Sequence, residues 1–266
     1  MISHWRQLFR GVLLSALLLG SVAQAAGQEI RVGAYHFPPY VIKPESATPA
    51  GLLPELLAAL NRSQGDYHFS LVPTSVTRRY SDLQSARFDL ILFESPAWGW
   101  KSTPHQSTDL HIEDAEVYVA RQEAGRDQRY FLELADKRFA LYSGYHYGFA
   151  GFNADPDYLK QHFKVAFTYS HDSNLLMVLR DRADLAVVTR SYLALYFRDH
   201  PEYRSRLLVS EREDQVYHHR ALLRPQAPLD GARLQHLLGE LKDAGVLLPL
   251  LQRYQLSMHG EHTAAH

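Results

Sequence analysis

Aromatic and charged residues that follow predicted strands are the sequence's strongest candidates for chemistry. Trp98 and Trp100 flank Gly99 just after an apolar run, and Glu94 and Lys101 stand on either side of them. Indole rings at such a place stack on a ring or an apolar solute, while a carboxylate and an ammonium add hydrogen bonds. Packing between two parts of the protein explains the same rings equally well. The pattern therefore predicts a binding surface or a packed interface.

Further candidates follow other predicted strands. They are aromatic residues after the first strand, an arginine heading a polar helix, and residues after two later strands: Tyr35, Phe37, Tyr40, Arg78, Tyr145, His146, Thr189 and Arg190. Tyr145 and His146 follow the turn Ser143-Gly144, which leads toward a helix start whose backbone N–H groups can receive an anion. A solvated loop there, and an exposed charged face for Arg78 and Arg79, are the alternatives. We expect the candidates in both groups to bind a ligand.

Signatures of catalysis and of metal binding are missing from the sequence. It contains no G-x-S-x-G, H-E-x-x-H or P-loop string and no cysteine. Among its 15 histidines, the adjacent His218 and His219 fall in a predicted strand and so point to opposite faces. His259, His262 and His266 have no carboxylate or cysteine beside them to complete a metal site. We therefore expect no catalytic residue, no metal and no other cofactor.

Composition limits the partners of the chain. With 28 Lys and Arg against 29 Asp and Glu, the net charge is -1, which gives no electrostatic reason to bind nucleic acid or an anionic membrane. Hydrophobic residues make up 46% of the chain, enough to bury a core. The lack of cysteine excludes lipid attachment through an N-terminal cysteine. We expect a globular monomer whose partner is a small molecule.

The N-terminal segment has the layout of a secretory signal peptide. Arg6 and Arg10 precede an apolar run at 11–19, which is followed by small residues. This run is shorter than the roughly 20 residues that span a bilayer, so an uncleaved anchor is the weaker alternative. Cleavage after Ala25 would release the chain from residue 26 onward into the periplasm, without stable membrane insertion.

Along the remaining chain, strand patterns alternate with helical patterns. Strands are predicted at 29–34, 67–72, 88–93, 116–121, 139–142, 165–169, 185–188, 207–210 and 216–223, and helices at 51–60, 76–86, 130–137, 174–180, 192–198, 234–244 and 249–254. Leucines at spacings of three and four mark the first helix, and uninterrupted apolar runs mark the strands at 88–93 and 185–188. This alternation predicts parallel sheets with right-handed crossovers.

The order of several short motifs resembles the family 3, amino-acid-type bacterial extracellular solute-binding proteins. The motifs lie at 32–40, 51–56, 88–91, 140–144, 182–188 and 245–254, so the resemblance covers nearly the whole chain after residue 26. It implies an α/β, two-lobed type II periplasmic-binding-protein fold, with mostly parallel sheets flanked by helices and two hinge strands. The first lobe would comprise 26–117 and 219–256, the second lobe 118–218, and a flexible tail 257–266.

The sequence also departs from the amino-acid binders that it resembles. Members of that family carry an arginine after the third strand to grip the ligand carboxylate, and an aspartate in the second lobe to hold its ammonium. Here the stretch 94–101 offers only Lys101, and the strand 185–188 runs into Thr189 and Arg190. Arg and Lys differ in bidentate binding. We therefore expect an anionic, aromatic or sugar-like solute, or no ligand, in place of an ordinary α-amino acid.

Three functions remain open at this point. The leading hypothesis is non-enzymatic binding of a small solute, for delivery to an ABC-type permease or for reading by a membrane sensor. The second is an enzyme on the same fold, a dehydratase of a cyclic acid with Glu94 and His146 as acid and base. The third is a ligandless module that acts by protein contact. An open, polar cleft without aromatic residues would favour the third.

Overall fold

The computed structural model describes residues 27–258. The predicted signal peptide at 1–25 and the part of the predicted tail at 259–266 lie outside the described residues. Between residues 27 and 258, no helix has the length and apolarity needed to cross a bilayer.

The described chain alternates strands with helices. The strands are β1 (Gln28–Ala34), β2 (Tyr67–Pro73), β3 (Leu90–Glu94), β4 (Gln106–Arg121), β5 (Arg138–Tyr142), β6 (Lys164–Thr168), β7 (Leu185–Thr189), β8 (Leu207–Leu223) and β9 (Ser257–Met258). The helices are α1 (Leu52–Ser63), α2 (Arg79–Gln84), α3 (Pro156–His162), α4 (His171–Leu179), α5 (Arg190–Asp199), α6 (Gly231–Asp243) and α7 (Leu247–Arg253).

Two parallel groups of strands form the two lobes. In the first lobe β1 pairs in parallel with β2 and β3, and in the second β5 pairs in parallel with β6 and β7. The strand order is β2-β1-β3-β8-β4-β7-β5-β6. β4 and β8 run antiparallel to each other between the two groups, so they connect the lobes. The α/β fold with two connecting strands agrees with the sequence-based expectation, whereas the lobe boundaries at 117 and 218 stay a prediction.

Burial explains why the main elements form. The leucines predicted to share one face of α1 are buried, and all five residues of β3 and of β7 are buried, as expected for parallel strands covered on both faces. Aspartates cap two of the helices. Asp155 accepts hydrogen bonds from backbone N–H groups at the start of α3, and Asp230 does the same for α6.

Two helix predictions in the middle of the chain were inaccurate. The stretch 130–137 contains no α-helix: Asp127 accepts a hydrogen bond from the Arg129 N–H and caps a single 3-10 turn that ends at Phe131. The helix predicted at 76–86 is shortened to α2. α3 was not predicted, although Asp155 followed by Pro156 is a common helix start.

The connecting strands are longer than the sequence indicated. β4 begins ten residues before the predicted strand at 116–121, and the two strands predicted at 207–210 and 216–223 are one strand. The polar residues 211–215 stay extended because β8 pairs with β4 on both sides of them, with shifts of register near Glu116. Part of the predicted tail is also ordered, since β9 pairs with β4 at Ile112 and Glu113.

The apolar core is continuous between the lobes. One cluster of buried side chains extends from the leucines of α1 through Tyr35, Phe37 and Trp98 to Tyr145 and the second lobe. A smaller cluster lies on the other face of the second lobe, around β7, α4 and α5. The lobes therefore meet through packed aromatic side chains.

Candidate functional site

A small cavity lies between the lobes, and we call it the inner cavity. Its lining residues come from both lobes and from β4: Tyr35, Phe37, Val76, Arg79, Trp98, Glu116, Gly144, Tyr145 and His146. Its volume is about 10 Å³, which is room for about one water molecule. The structure therefore shows the lobes closed on their own side chains.

Aromatic rings fill the space between the lobes. The Phe37 ring lies 5.7 Å from that of Tyr35 in a stacked arrangement. It also meets Trp98 at 5.8 Å and Tyr145 at 5.6 Å, both edge to face. These are favourable geometries for aromatic pairs, so Phe37 is the centre of the interface between the lobes.

Hydrogen bonds across the interface accompany the ring contacts. The Tyr145 hydroxyl donates to the carbonyl of His36 at 3.1 Å. The Trp98 indole N–H donates to the side-chain oxygen of Gln215 at 3.1 Å. The amide nitrogen of Gln215 in turn donates to a Glu116 carboxyl oxygen at 2.7 Å and to the His146 carbonyl at 2.6 Å. Gln215 thus ties the first lobe to the second through β8.

A fully buried ion pair supports one wall of the inner cavity. The Nε atom of Arg79 lies 3.2 Å from Oε1 of Glu94, with both side chains at most 1% exposed. The guanidinium also lies over the rings of Tyr35 at 4.8 Å and Tyr80 at 4.5 Å. Trp100 donates its indole N–H to the other Glu94 oxygen at 2.8 Å. Burial raises the pKa of Glu94, against the opposing effects of Arg79 and Trp100.

Two titratable groups in the cavity wall favour their neutral forms. Burial, with a contribution from the nearby Asp214 carboxylate, raises the pKa of Glu116 well above its ordinary value. Burial and the positive charge of Arg79 lower the pKa of His146 to about 4. The wall is therefore aromatic and mostly uncharged, apart from the paired Arg79.

The backbone amides after Ser143-Gly144 already hold a carboxylate. The N–H groups of Gly148 and Phe149 donate to the two oxygens of Asp214 at 2.6 and 2.8 Å. Gly148 lies so close to the Asp214 carbonyl that a Cβ there would collide with it. An anion-binding helix start and a solvated loop were the two interpretations of this turn from the sequence. A side chain of the protein occupies the amides, because β8 brings Asp214 against this turn.

The structure brings five of the predicted residues to the inner cavity. They are Tyr35, Phe37, Trp98, Tyr145 and His146. Tyr40 is buried outside the cavity, where its hydroxyl donates to Asp114 at 2.6 Å and lies 2.7 Å from the Nε2 atom of His219. Of the two arginines that head α2, Arg78 is exposed and Arg79 lines the cavity.

The other predicted residues lie away from the cavity. Glu94 and Trp100 are buried behind Arg79, and Lys101 is exposed. Thr189 is buried at the end of β7, whereas Arg190 is half exposed and pairs with Glu213 at 2.6 Å. An ion pair in the protein itself therefore holds the cation that follows β7.

Four residues that line the inner cavity were not predicted from the sequence: Val76, Arg79, Glu116 and Gly144. Glu116 carried a usable signal, because an acidic residue in an otherwise apolar strand segment is unusual unless it is paired or functional. Gly144 has φ 84°, and a Cβ there would lie 2.5 Å from Val76 of the first lobe. That contact arises only when the lobes meet, so local sequence does not reveal it.

The side chains of His218 and His219 point to opposite faces of β8, as predicted. His218 is half exposed and His219 is fully buried, as opposite faces of one strand require. Across residues 27–258, no three His, Asp or Glu side chains come together as metal ligands would.

Comparisons with known proteins support the architecture. No protein-family model and no curated protein matches the sequence. An ABC uptake transporter substrate-binding protein from Streptococcus pneumoniae with bound histidine is 16% identical, with a TM-score of 0.68 over 85% of this chain and 92% of that one. A histidine kinase sensor domain with similarity to periplasmic binding proteins is 18% identical, with a TM-score of 0.65 over 86% and 96%.

A third similar structure is an ancestral amino-acid-binding protein, described as a precursor of cyclohexadienyl dehydratase. It is 17% identical, with a TM-score of 0.63 over 85% of this chain and 94% of that one. At these identities the likeness establishes the fold alone. The chain has the two-lobed fold of the amino-acid-type periplasmic binding proteins.

Proposed function

We propose that the protein is a non-enzymatic binder of a small solute, which it takes between its two lobes. The observation that carries this proposal is the inner cavity, whose walls are rings from both lobes: Tyr35, Phe37, Trp98 and Tyr145. Rings on facing lobes enclose a flat or apolar solute when the lobes close. At about 10 Å³ the cavity has no room for such a solute, so binding requires the lobes to separate and close again.

Two internal pairs argue against an ordinary α-amino acid as the solute. Such a ligand presents a carboxylate, which a guanidinium or a set of backbone amides would bind. Arg79 is already paired with Glu94, and the amides of Gly148 and Phe149 already hold Asp214. The remaining wall is aromatic and mostly neutral. We therefore favour an aromatic or sugar-like solute over an anionic one.

We propose that the protein acts in the periplasm after removal of residues 1–25. Proteins of the same fold include an ABC transporter substrate-binding protein and a sensor domain of a histidine kinase. Either kind of membrane partner would read closure through a higher affinity for the closed form. We propose that a permease or a membrane sensor does so here.

The alternatives fit this geometry less well. A dehydratase using Glu94 and His146 would need both groups at the substrate, and Glu94 lies behind Arg79 in an ion pair. A ligandless contact module would favour an open and polar cleft. The cleft is closed and aromatic.

Tryptophan fluorescence tests the proposal. Removal of residues 1–25 would leave Trp98 and Trp100 as the tryptophans of the exported protein. We would titrate protein purified from the periplasm with neutral aromatic compounds, neutral sugars and amino acids, and follow both emission and thermal stability. A bound solute should change Trp98 emission and raise stability by about 2.7 kcal/mol at a hundredfold excess over Kd.

A matched pair of variants locates the binding. Phe37→Leu should weaken binding of the solute, because it removes the central ring between the lobes. Phe152→Leu should not, because this partly exposed phenylalanine lies outside the inner cavity. If no solute of any class changes the emission or the thermal stability, the result would contradict the binding function. Tight binding of an unmodified α-amino acid to the unaltered protein would contradict the proposed solute class.

A further inference from the structure

A larger recess lies at the outer mouth between the lobes, and we call it the outer groove. Its volume is about 490 Å³, within the roughly 300–1,000 Å³ range of small-molecule sites. Tyr145 separates it from the inner cavity: its ring lies 5.6 Å from Phe37 on one side and 4.2 Å from Tyr142 on the other. The outer groove is thus a distinct site of the same interface, with space for a ligand in the closed conformation.

A buried histidine in the wall of the outer groove lacks hydrogen-bond partners. His171 is 2% exposed and lines the groove, yet neither ring nitrogen has a partner among the described residues. Its ring is surrounded by those of Tyr192 at 4.9 Å and Tyr142 at 5.7 Å. Burial lowers the pKa of His171 to about 3, so the imidazole is neutral, with one donor and one acceptor. Buried polar groups are normally satisfied, and because neighbouring side chains cover both nitrogens, a ligand hydroxyl satisfies one of them when a covering ring turns aside.

Tyrosine rings form the second feature of the outer groove. Tyr142, Tyr169 and Tyr192 all line it. Tyr169 is 75% exposed and meets Tyr142 edge to face at 6.4 Å. A large ring exposed to this extent at the edge of a recess has a face free for contact. The faces of tyrosine rings attract cations, most strongly where water is partly excluded.

The charges of the outer groove favour a cation. Glu45 comes from the first lobe and Asp172 from the start of α4, so the two carboxylates approach from both lobes. Tyr192 donates its hydroxyl to Asp172 at 2.6 Å and fixes that carboxylate in place. Lys43 is the single permanent cation in the lining, because burial lowers the pKa of His36. The lining thus carries one more negative than positive charge.

We propose that the outer groove binds a small hydroxylated organic cation, of the amino-alcohol class. Its cationic nitrogen rests on the tyrosine rings between Glu45 and Asp172, and its hydroxyl bonds to His171. Because Glu45 and His171 come from different lobes, this ligand holds the lobes closed. The proposal does not depend on which solute the inner cavity takes.

Calorimetry with three related probes tests the proposal on the exported protein. Choline carries both the charge and the hydroxyl, tetramethylammonium lacks the hydroxyl, and 3,3-dimethylbutan-1-ol lacks the charge. We expect choline to bind most tightly, with tetramethylammonium weaker and the neutral alcohol weakest, by about tenfold or more relative to choline. No binding of choline at millimolar concentration, or equal affinity for choline and the neutral alcohol, would overturn the proposal.

Variants test whether choline binds in the outer groove. Tyr169→Leu should lower the affinity for choline by about two- to fivefold, because one ring face is lost. Asp172→Asn should lower the affinities for choline and tetramethylammonium but leave the affinity for the neutral alcohol unchanged. His171→Phe should reduce the affinity for choline to that for tetramethylammonium. The matched control Asp136→Asn removes a carboxylate that is 99% exposed and lies outside the groove, so it should leave choline binding unchanged.

Two results with these variants would also overturn the assignment. One is choline binding that survives both Tyr169→Leu and Asp172→Asn. The other is equal weakening by Asp136→Asn and Asp172→Asn, which would indicate a general charge effect. The inner-cavity test uses Trp98 emission and aromatic or sugar solutes, whereas this test uses heats of choline binding. Each proposal can therefore fail without the other.

Discussion

The inner cavity and the outer groove lie on opposite sides of the Tyr145 ring and are built differently. The cavity holds about 10 Å³, and its wall contains an internal ion pair of Arg79 with Glu94, whose Nε and Oε1 atoms make no hydrogen bond among residues 27–258. The groove holds about 490 Å³ and leaves His171 buried without a hydrogen-bond partner among residues 27–258. The two recesses therefore differ in the space that they offer a ligand, since small-molecule sites need several hundred Å³. The inner cavity can take a solute only after the lobes separate, whereas the outer groove has room for a ligand while they are closed.

The largest expected effect comes from the ion pair behind the inner cavity. Arg79→Met should lower the free energy of unfolding by about 3–5 kcal/mol, because it leaves Glu94 buried without its partner. Chemical denaturation measures this loss. The double variant Arg79→Met/Glu94→Gln should recover much of it, since glutamine still accepts the Trp100 hydrogen bond. A single-variant loss below about 1 kcal/mol would show that the pair does not stabilise the inner wall.

Acid should destabilise both regions through their histidines. Burial lowers the pKa of His146 to about 4 and of His171 and His219 to about 3, whereas the unfolded values lie near 6.5. At these three histidines the unfolded chain therefore binds more protons below pH 6.5, so their contribution to stability falls as pH is lowered toward 4. Each histidine contributes about 1.4 kcal/mol per pH unit once it is protonated in the unfolded state. Glu116 and the other buried carboxyls whose pKa values burial raises oppose this contribution above their ordinary pKa values, because the folded state retains their protons.

A variant assigns part of this slope to the outer groove. His171→Phe should remove one proton from the difference between the unfolded and folded states, and so flatten the loss of stability between pH 6.5 and 4. Denaturation at several pH values measures the slope. An unchanged slope would show that His171 is protonated in the folded protein, against its burial among tyrosines.

The smallest effects compare Tyr145, which lines the inner cavity, with Tyr169, which lines the outer groove. Tyr145→Phe removes the hydrogen bond to the His36 carbonyl and should lower the free energy of unfolding by about 0.5–1.5 kcal/mol. Tyr169→Leu should change it by less than about 0.5 kcal/mol, because the ring is 75% exposed. Thermal and chemical denaturation measure both. A larger loss for Tyr169→Leu than for Tyr145→Phe would reverse the distinction between packed cavity and binding groove.

Local pattern was sufficient for much of the fold. The leucine spacing of α1 and the apolar runs of β3 and β7 identified these elements, because burial on one or both faces leaves a period in the sequence. Prediction was wrong at 130–137, where the chain forms only a 3-10 turn that ends at Phe131, and incomplete for β8. Pairing with β4, a partner distant in sequence, keeps the polar middle of β8 extended.

The candidate site was less predictable than the fold. Aromatic residues after strands, such as Phe37 and Trp98, were found because strand ends of one lobe meet those of the other. The sequence could not indicate whether Arg78 or Arg79 lines the cavity. Only the rotation of α2 against its neighbours decides which of the two side chains is buried. The occupation of the Gly148 amide by Asp214 depends on the approach of β8, which lies more than sixty residues away.

The sequence by itself determined the alternation of elements, the absence of cysteine chemistry and the aromatic character of the cleft, because composition and periodicity are local properties. The tertiary structure decided which charges are already paired, how little space the inner cavity keeps and where His171 lies unpaired. These depend on contacts between two lobes joined by β4 and β8, and such contacts have no local signature.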